Sequence, residues 1–470
     1  MDLKRLKFAT TDKLSLPPLG QTLIRCRFKT EVQGLENQQI VNFLKEIPLP
    51  FSSSELFGAP IDSAKYLAEG ADVKTTIELF LNIKGGNFQY LPGDSIGVMP
   101  KNPKSEVIEV LDCLGLTDQA ETIVEITIAE GQNRKKLPPH LPRELSLFDL
   151  FESCLDLRSI PKKLFIRALL EYTDVAEEKR RLEEFCCKEG SKEYNDHILN
   201  NSICLVDLLM SFPSCKPPLA LILEHLPRLM PRVYSIASSP LEHKNRIRIV
   251  FNVVNDLRGR KGICSSWLQK ISHPFLDITG QLEDLSLFEH SKHIVVPIYL
   301  RKSSSFRIPE DPSTSLIMIG PGTGLAPFVG FLEHRQRQKK ISPRPEGITS
   351  LYFGCRYKTK DHIYRRNLQH FVHNGTLNKF TACFSRESHE DGSPRYVQDV
   401  IYNDKEEFVD LLLRDKTCMF ICGDALNMAK NVQEMVIKSI SDVKNISLEE
   451  ATQIVSSLEK ESKLIKDVWR

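Results

Sequence analysis

The chain of 470 residues has no uninterrupted apolar run approaching the roughly 18 residues that a bilayer-crossing helix needs, so no membrane is expected as partner. Charge of one sign is scarce as well. Lys and Arg number 63 against 61 Asp and Glu, and a net charge of +2 gives no reason to expect nucleic acid. The 12 cysteines include no CxxC pair and the 12 histidines form no HExxH spacing, so no metal site is expected. No secretory hydrophobic core opens the sequence, and the cysteines, the adjacent Cys186 and Cys187 among them, read as reduced thiols of a cytoplasmic protein. Internal repeats and low-complexity stretches are missing too. What is there, 41% hydrophobic and 26% charged residues, is an ordinary globular composition. A length of 470 residues suggests two or three domains, because single cores seldom grow beyond about 250–300 residues.

The stretch around which the chain is organised is Gly320-Pro321-Gly322-Thr323-Gly324. An apolar run of strand length, 316–319, enters it and an amphipathic segment running to Arg335 leaves it, so strand, glycine-rich turn and helix are predicted. Glycines there let a backbone approach a pyrophosphate, and unpaired N–H groups at a helix start face its oxygens. Upstream, residues 1–55 are irregular, with Pro17-Pro18 and Pro48-Leu49-Pro50, and are expected to be a linker or hinge that becomes ordered on the next domain. Residues 75–83 alternate and 90–98 place a Pro-Gly-Asp turn before a short strand, opening an antiparallel barrel over 56–104. Helical spacing takes over at 105–225, with amphipathic segments at 164–172, 179–185 and 203–210, and the charge run 177–184 reads as a solvated helix face. Strand patterns return at 232–237 and 246–254, so the helical block is expected as an insertion within a barrel resumed over 226–308. From 309 to 470 strands (316–319, 348–353, 379–385, 418–422) alternate with helices (328–337, 363–371, 406–413, 426–440), which predicts a parallel sheet covered on both faces. A last helix over 447–464 leads into the tail Asp467-Val468-Trp469-Arg470.

Arg232-Val233-Tyr234-Ser235 puts a cation suited to a diphosphate, a flat aromatic face and a hydroxyl on one strand. Lys261-Gly262-Ile263-Cys264-Ser265 follows, a cation and a glycine ahead of a hydroxyl. In this order, ahead of the Gly-Pro-Gly-Thr-Gly turn, these segments resemble the diflavin reductases of the ferredoxin-NADP reductase superfamily. The resemblance covers about 57–470 and implies a multidomain fold: an antiparallel β-barrel FAD domain with an all-α insertion, then an α/β Rossmann-like NADP-binding domain. It implies FAD contacts from Arg232, Tyr234, Ser235, Gly262, Ile263, Cys264, Ser265 and Trp469. For NADPH it implies Gly322 and Thr323 of the turn, Arg356 at a strand end, Ser385 and Arg386 on the 2′-phosphate, Arg395, Tyr396 and Gln398, and Asp424 of Cys422-Gly423-Asp424-Ala425-Leu426-Asn427-Met428. A guanidinium and a hydroxyl on a dianionic phosphate favour NADPH over NADH. As catalytic groups it implies Ser235 near the reactive flavin nitrogen, Cys422 at the nicotinamide, Asp467 against developing positive charge and Trp469 covering the flavin. The family ends Trp-Ser where this chain has Trp469-Arg470. No base adjacent in sequence accompanies Cys422, which argues against a nucleophile.

The helical block resembles one branch of the family, in residues 160–172, 178–182, 212–219 and 223–227. That likeness implies electron delivery from NADPH for the reactivation of a cobalamin-dependent methionine synthase, with methionine synthase as partner. The family's N-terminal FMN domain is not found: about fifty residues precede the barrel, against the ~100–150 of a typical domain. FMN is therefore not expected on this chain, and a two-electron carrier without it has no built-in route to a one-electron acceptor. Two other readings stay open, a single-flavin reductase feeding a separate FMN protein or flavodoxin-like carrier, and a non-enzymatic docking or chaperone flavoprotein.

Overall fold

Three sheets organise the computed structural model, which describes residues 3–8, 13–20, 22–29, 44–129, 136–256, 258–276, 294–387, 395–425 and 428–469. Much of the expected linker, together with Leu426, Asn427 and Arg470, lies outside the described residues. In chain order the elements are β1 (Ile24–Phe28), β2 (Phe57–Ala68), β3 (Thr76–Asn82), β4 (Ser95–Val98), α1 (Lys104–Leu114), β5 (Ile123–Ile128), β6 (Glu144–Ser146), α2 (Leu147–Ser153), α3 (Lys163–Leu169), α4 (Ala176–Cys186), α5 (Leu205–Ser211), α6 (Leu219–His225), β7 (Arg232–Ser235), β8 (Arg246–Asn252), α7 (Ile263–Leu276) and β9 (Val295–Arg301). There follow β10 (Ser315–Ile319), α8 (Ala326–Ile341), β11 (Thr349–Cys355), α9 (Arg365–His373), β12 (Lys379–Phe384), α10 (Val397–Asn403), α11 (Lys405–Leu412), β13 (Thr417–Asp424), α12 (Met428–Lys444), α13 (Leu448–Lys460) and β14 (Leu464–Trp469). The chain divides into two units, one of Met1–Pro50, Met99–Arg232 and Asn255–Trp267, the other of Phe51–Val98, Val233–Val254 and Leu268–Arg470.

The first unit holds α1 to α6 and corrects three expectations. Its insertion is not all-α, because β5 and β6 lie within it and form an antiparallel sheet with β1. The second correction is to the irregular pattern of the linker, whose described residues are ordered as expected but supply a regular strand, β1, paired with β5 from Ile24 opposite Ile128 to Phe28 opposite Val124. Its early residues are held as well, Leu3 being buried. The third is the charge run, which is no solvated face: Glu184 is fully buried and Arg181 nearly so. Arg181 Nη1 lies 2.6 Å from Glu184 Oε2, and its Nε donates to the Leu3 carbonyl at 3.0 Å. The Glu184 carboxylate also accepts the backbone N–H groups of Lys7 at 2.9 Å and Phe8 at 2.7 Å. A carboxylate with a cation and two N–H donors can leave water. Its backbone partners lie 177 and 176 residues away in sequence, so the local pattern gave no sign of them.

In the second unit a six-stranded sheet runs β7-β4-β9-β2-β3-β8. It curls closed where the continuation of β7 meets both ends: Ile236 N–H donates to the Asp94 carbonyl at 2.9 Å, and Ala237 N–H to the Arg248 carbonyl of β8 at 2.8 Å. The buried Asp94 carboxylate gathers the predicted Pro-Gly-Asp turn, accepting from Leu91 N–H at 3.0 Å, Ser303 N–H at 2.8 Å and Arg307 Nε at 2.8 Å.

The parallel sheet of the same unit runs β12-β11-β10-β13-β14. Strand alternation sends Leu316 and Met318 into one core with Phe328, Phe331 and Leu368, and Ile317 and Ile319 into the other with Val432, Val436 and Val455. The first core also takes in Ala237 and Val250 of the barrel. Between barrel and sheet sits Arg248, whose Nη2 is 2.7 Å from Glu333 Oε1 of α8, whose Nε donates to the Ala237 carbonyl at 3.0 Å, and whose guanidinium lies over Phe80 and Tyr364, each at 5.4 Å. The last helix is shorter than predicted: a Ser447–Glu450 capping box opens it and it ends at Lys460, so Leu464 starts a strand instead. The tail is thus β14, parallel to β13 with Asp467 opposite Cys422 and Trp469 opposite Asp424.

Replacing Arg181 by Met leaves the buried Glu184 carboxylate without its closest cation. We expect a loss of about 3–5 kcal/mol in urea unfolding, against a change within about 1 kcal/mol for Arg414→Met at the exposed Arg414–Asp410 pair.

Candidate functional site

Strand order makes the site. From β10 the chain steps outward to β11 and β12, then returns to β13 on the other side, so the crevice past the strand ends opens where the order reverses. The Gly-rich turn occupies that point. Gly324 is pressed against β13: a Cβ there would lie 2.1 Å from the Cys422 carbonyl oxygen. Gly322 takes φ +57, a left-handed conformation, and a Cβ would meet nothing within 4 Å, so this glycine leaves room on the open side of the turn.

A cavity of about 610 Å³ lies over the turn. Gly322, Thr323, Arg356, Ser385, Arg395, Tyr396, Gln398, Asp424 and Trp469, all singled out from the sequence, line it. Arg386 does not join them; it is exposed, and its backbone N–H donates to the Arg356 carbonyl at 3.0 Å. Lys74, Arg356 and Arg395 give the lining a positive character, and one of its two aspartates, Asp361, is engaged by the backbone N–H groups of Arg356 at 3.0 Å and Tyr357 at 2.7 Å. An open glycine turn, a surplus of cations and the exposed Tyr396 ring fit a dinucleotide carrying an extra phosphate.

Three lining residues come from the barrel and were missed in the sequence: Lys74, Thr76 and Asn252. The available signal was slight, a polar residue at the end of each of two strands that carry other polar residues as well. Thr76 and Asn252 stand directly opposite in the β3–β8 ladder.

Ser235 and Asp467 meet. The Ser235 hydroxyl donates to Asp467 Oδ2 at 2.6 Å, joining the strand end of the barrel to the last strand of the parallel sheet. Burial pushes the Asp467 carboxyl above its ordinary range, opposed by the Ser235 hydrogen bond and by the charge of Arg301. Cys422, beside Asp467 in the ladder, is fully buried and outside the lining; burial first, and the Asp467 charge second, hold its thiol well above its usual range. It is a neutral thiol, not a poised nucleophile. Trp469 is 43% exposed, and its carbonyl accepts Ala425 N–H at 2.9 Å.

The residues assigned to the flavin divide between the two units. Tyr234, half-buried with its ring edge-on to Phe251 at 5.8 Å, belongs with Ser235 and Trp469 to the second. Arg232, whose Nη1 donates to the Met230 carbonyl at 2.5 Å, belongs to the first. So does the run Gly262, Ile263, Cys264 and Ser265, where α7 begins directly after Gly262. A 14-residue helix starting after a glycine has the N–H groups and the room that a pyrophosphate requires. Among the described residues no group of three or more His, Cys, Asp or Glu could hold a metal ion, and no helix is long and apolar enough to cross a membrane.

Gly324→Ala forces the turn away from β13. It is expected to destabilise the protein by about 1–3 kcal/mol and to lower its melting temperature, whereas Gly322→Ala pays only for its left-handed φ, about 1 kcal/mol.

Comparison with known proteins agrees with this layout. Residues 49–267 match the FAD binding domain family and residues 318–434 the oxidoreductase NAD-binding domain family. The chain is 38% identical over 471 residues to methionine synthase reductase of Rattus norvegicus, covering 97% of this chain and 66% of that protein. To methionine synthase reductase of Homo sapiens it is 39% identical over 476 residues, covering 97% and 67%. NADPH–cytochrome P450 reductase of Drosophila melanogaster is 32% identical over 426 residues, covering 89% and 59%. The chain thus spans about two thirds of the length of the methionine synthase reductases it matches.

Proposed function

We infer that this chain, which belongs to the methionine synthase reductase family of NADPH-dependent flavin oxidoreductases, draws electrons from NADPH at the cavity over its Gly-rich turn and passes them through FAD toward the reactivation of a cobalamin-dependent methionine synthase in the cytoplasm. The observation that carries the reading is the 2.6 Å bond between Ser235 and Asp467, which ties the strand assigned to the flavin to the strand that ends in Trp469. FAD, when bound, would supply an acceptor for the two electrons of a hydride. The chain's own part is positioning and charge. Arg356, Arg395 and Ser385 hold the phosphates of the dinucleotide, and Tyr396 offers its exposed ring to the adenine. Asp467 places a carboxylate where positive charge develops on the nicotinamide, and Ser235 orients it and opposes the rise that burial imposes on its pKa. Trp469 shields the flavin and swings aside for the nicotinamide.

Onward delivery to methionine synthase runs through an FMN domain or a separate flavodoxin-like carrier, a reading supported by the similarity to methionine synthase reductases. Mixing the reduced protein with such a carrier and inactive methionine synthase tests it; reactivation with the carrier but not without it is expected.

The purified protein is expected to be yellow, with flavin absorbance that bleaches with NADPH and much less with NADH. A colourless protein that takes up no flavin overturns the reading. Ser385→Ala is expected to raise KM for NADPH roughly ten- to a hundredfold and that for NADH far less, as loss of a charge-assisted bond to the 2′-phosphate requires.

A pH profile of dye reduction isolates Asp467. Turnover that needs the carboxylate is full above its pKa and is lost as pH falls through it. Ser235→Ala removes a hydrogen bond that lowers this pKa, so the acid limb moves to higher pH, and Asp467→Asn abolishes it. An acid limb at the same pH in all three proteins assigns it to another group.

A further inference from the structure

We propose that Asn252, on the barrel, is a positioning residue for the dinucleotide's pyrophosphate, acting through the hydroxyl of Thr323. The proposal rests on the reading of the cavity as the NADPH site. Thr76, Asn252 and Thr323 form a chain of hydrogen bonds: the Thr76 hydroxyl donates to Asn252 Oδ1 at 2.8 Å, and Asn252 Nδ2 donates to Thr323 Oγ1 at 3.2 Å. Thr76 Oγ1 also lies 3.2 Å from the Lys74 carbonyl, but a hydroxyl has one proton and the shorter contact takes it. That choice orients the amide. With the Asn252 oxygen turned to Thr76, its NH2 faces Thr323 and occupies a lone pair there, so the Thr323 proton points elsewhere. All three residues line the cavity, and what lies on the other side of Thr323 is the open face of the Gly322 turn.

The arrangement therefore makes a threonine of the Gly-rich turn into a dedicated donor toward a phosphate oxygen. It does so from β8, an element of the other sheet, and the register that sets Thr76 opposite Asn252 keeps the amide from rotating. The pyrophosphate is common to NADPH and NADH, so a group acting on it serves both. This separates the role of Asn252 from that of Ser385, which the family resemblance assigns to the 2′-phosphate.

Steady-state dye reduction with the FAD-loaded protein tests the idea. Asn252→Ala is expected to raise KM for NADPH and for NADH by the same factor, about three- to tenfold, with most of the change in KM rather than kcat. Asn252→Asp costs more, because a carboxylate takes the Thr323 proton for itself and brings negative charge to the phosphate. In a Thr323→Val background the Ala substitution is expected to add less than about twofold, since its target hydroxyl is gone. Flavin absorbance and melting temperature are followed alongside, and Asn252→Val is the second removal should the Ala protein lose FAD. Costs that multiply in the double variant, a penalty confined to NADPH, or an Asn252→Ala protein indistinguishable from the parent overturn the proposal. A parent protein that NADPH does not reduce overturns the reading of the cavity instead.

Discussion

The Arg248 guanidinium is buried at 4% exposure, where an isolated cation would cost several kcal/mol, and the second unit depends on how that cost is met. Glu333 supplies the charge partner, the Ala237 carbonyl a further acceptor, and the rings of Phe80 and Tyr364 two faces. Burial alone would lower its pKa, but Tyr364, Glu333 and Glu78 outweigh it, so the charge persists. Glu78 and Phe80 belong to β3, Glu333 to α8, and Tyr364 caps the start of α9, with its hydroxyl bonded to Glu78. One side chain thereby joins the barrel to the helix that leaves the Gly-rich turn. The nearby Ser239 hydroxyl and His334 Nδ1, 2.9 Å apart, form a second link between the same two elements.

That joint decides where chemistry can occur. Ala237 lies two residues after Ser235, and Glu333 lies on the helix that follows Gly324, so a fixed Arg248 fixes the strand of Ser235 against the turn. The Ser235–Asp467 and Asn252–Thr323 bonds then span the same crevice at two more points. Hydride transfer needs rings held in near-attack contact, and rigid placement is the part a protein can supply. The polar residues concerned are drawn from strand ends, where side chains reach the crevice without breaking either core.

Much of this was legible in the chain. The strands from β10 to β13 announced themselves because a parallel sheet buried on both faces needs continuous apolar runs, and the Gly-rich turn because Gly324 has no alternative against Cys422. What failed to show was long-range. Glu184 and Arg181 read as solvent-facing since their partners, the backbone at Leu3, Lys7 and Phe8, lie far away in sequence. β1 was hidden for the same reason, its ladder partner being β5. Thr76 and Asn252 looked like ordinary strand ends, and only the closing of the barrel brings them to Thr323. Arg386 was chosen by motif, but it stands clear of the cavity that its neighbour Ser385 lines.

The edge strand β14 bears on speed. Because the Trp469 carbonyl is held by Ala425 N–H and its strand is laddered to β13, the indole can clear the cavity by rotation about its own side-chain bonds while the main chain stays zipped. Such rotamer hops at an exposed residue take picoseconds to nanoseconds, whereas peeling a strand from a sheet belongs to microseconds or slower. A shutter hung on a fixed frame opens many times in the interval that unzipping the frame itself would take.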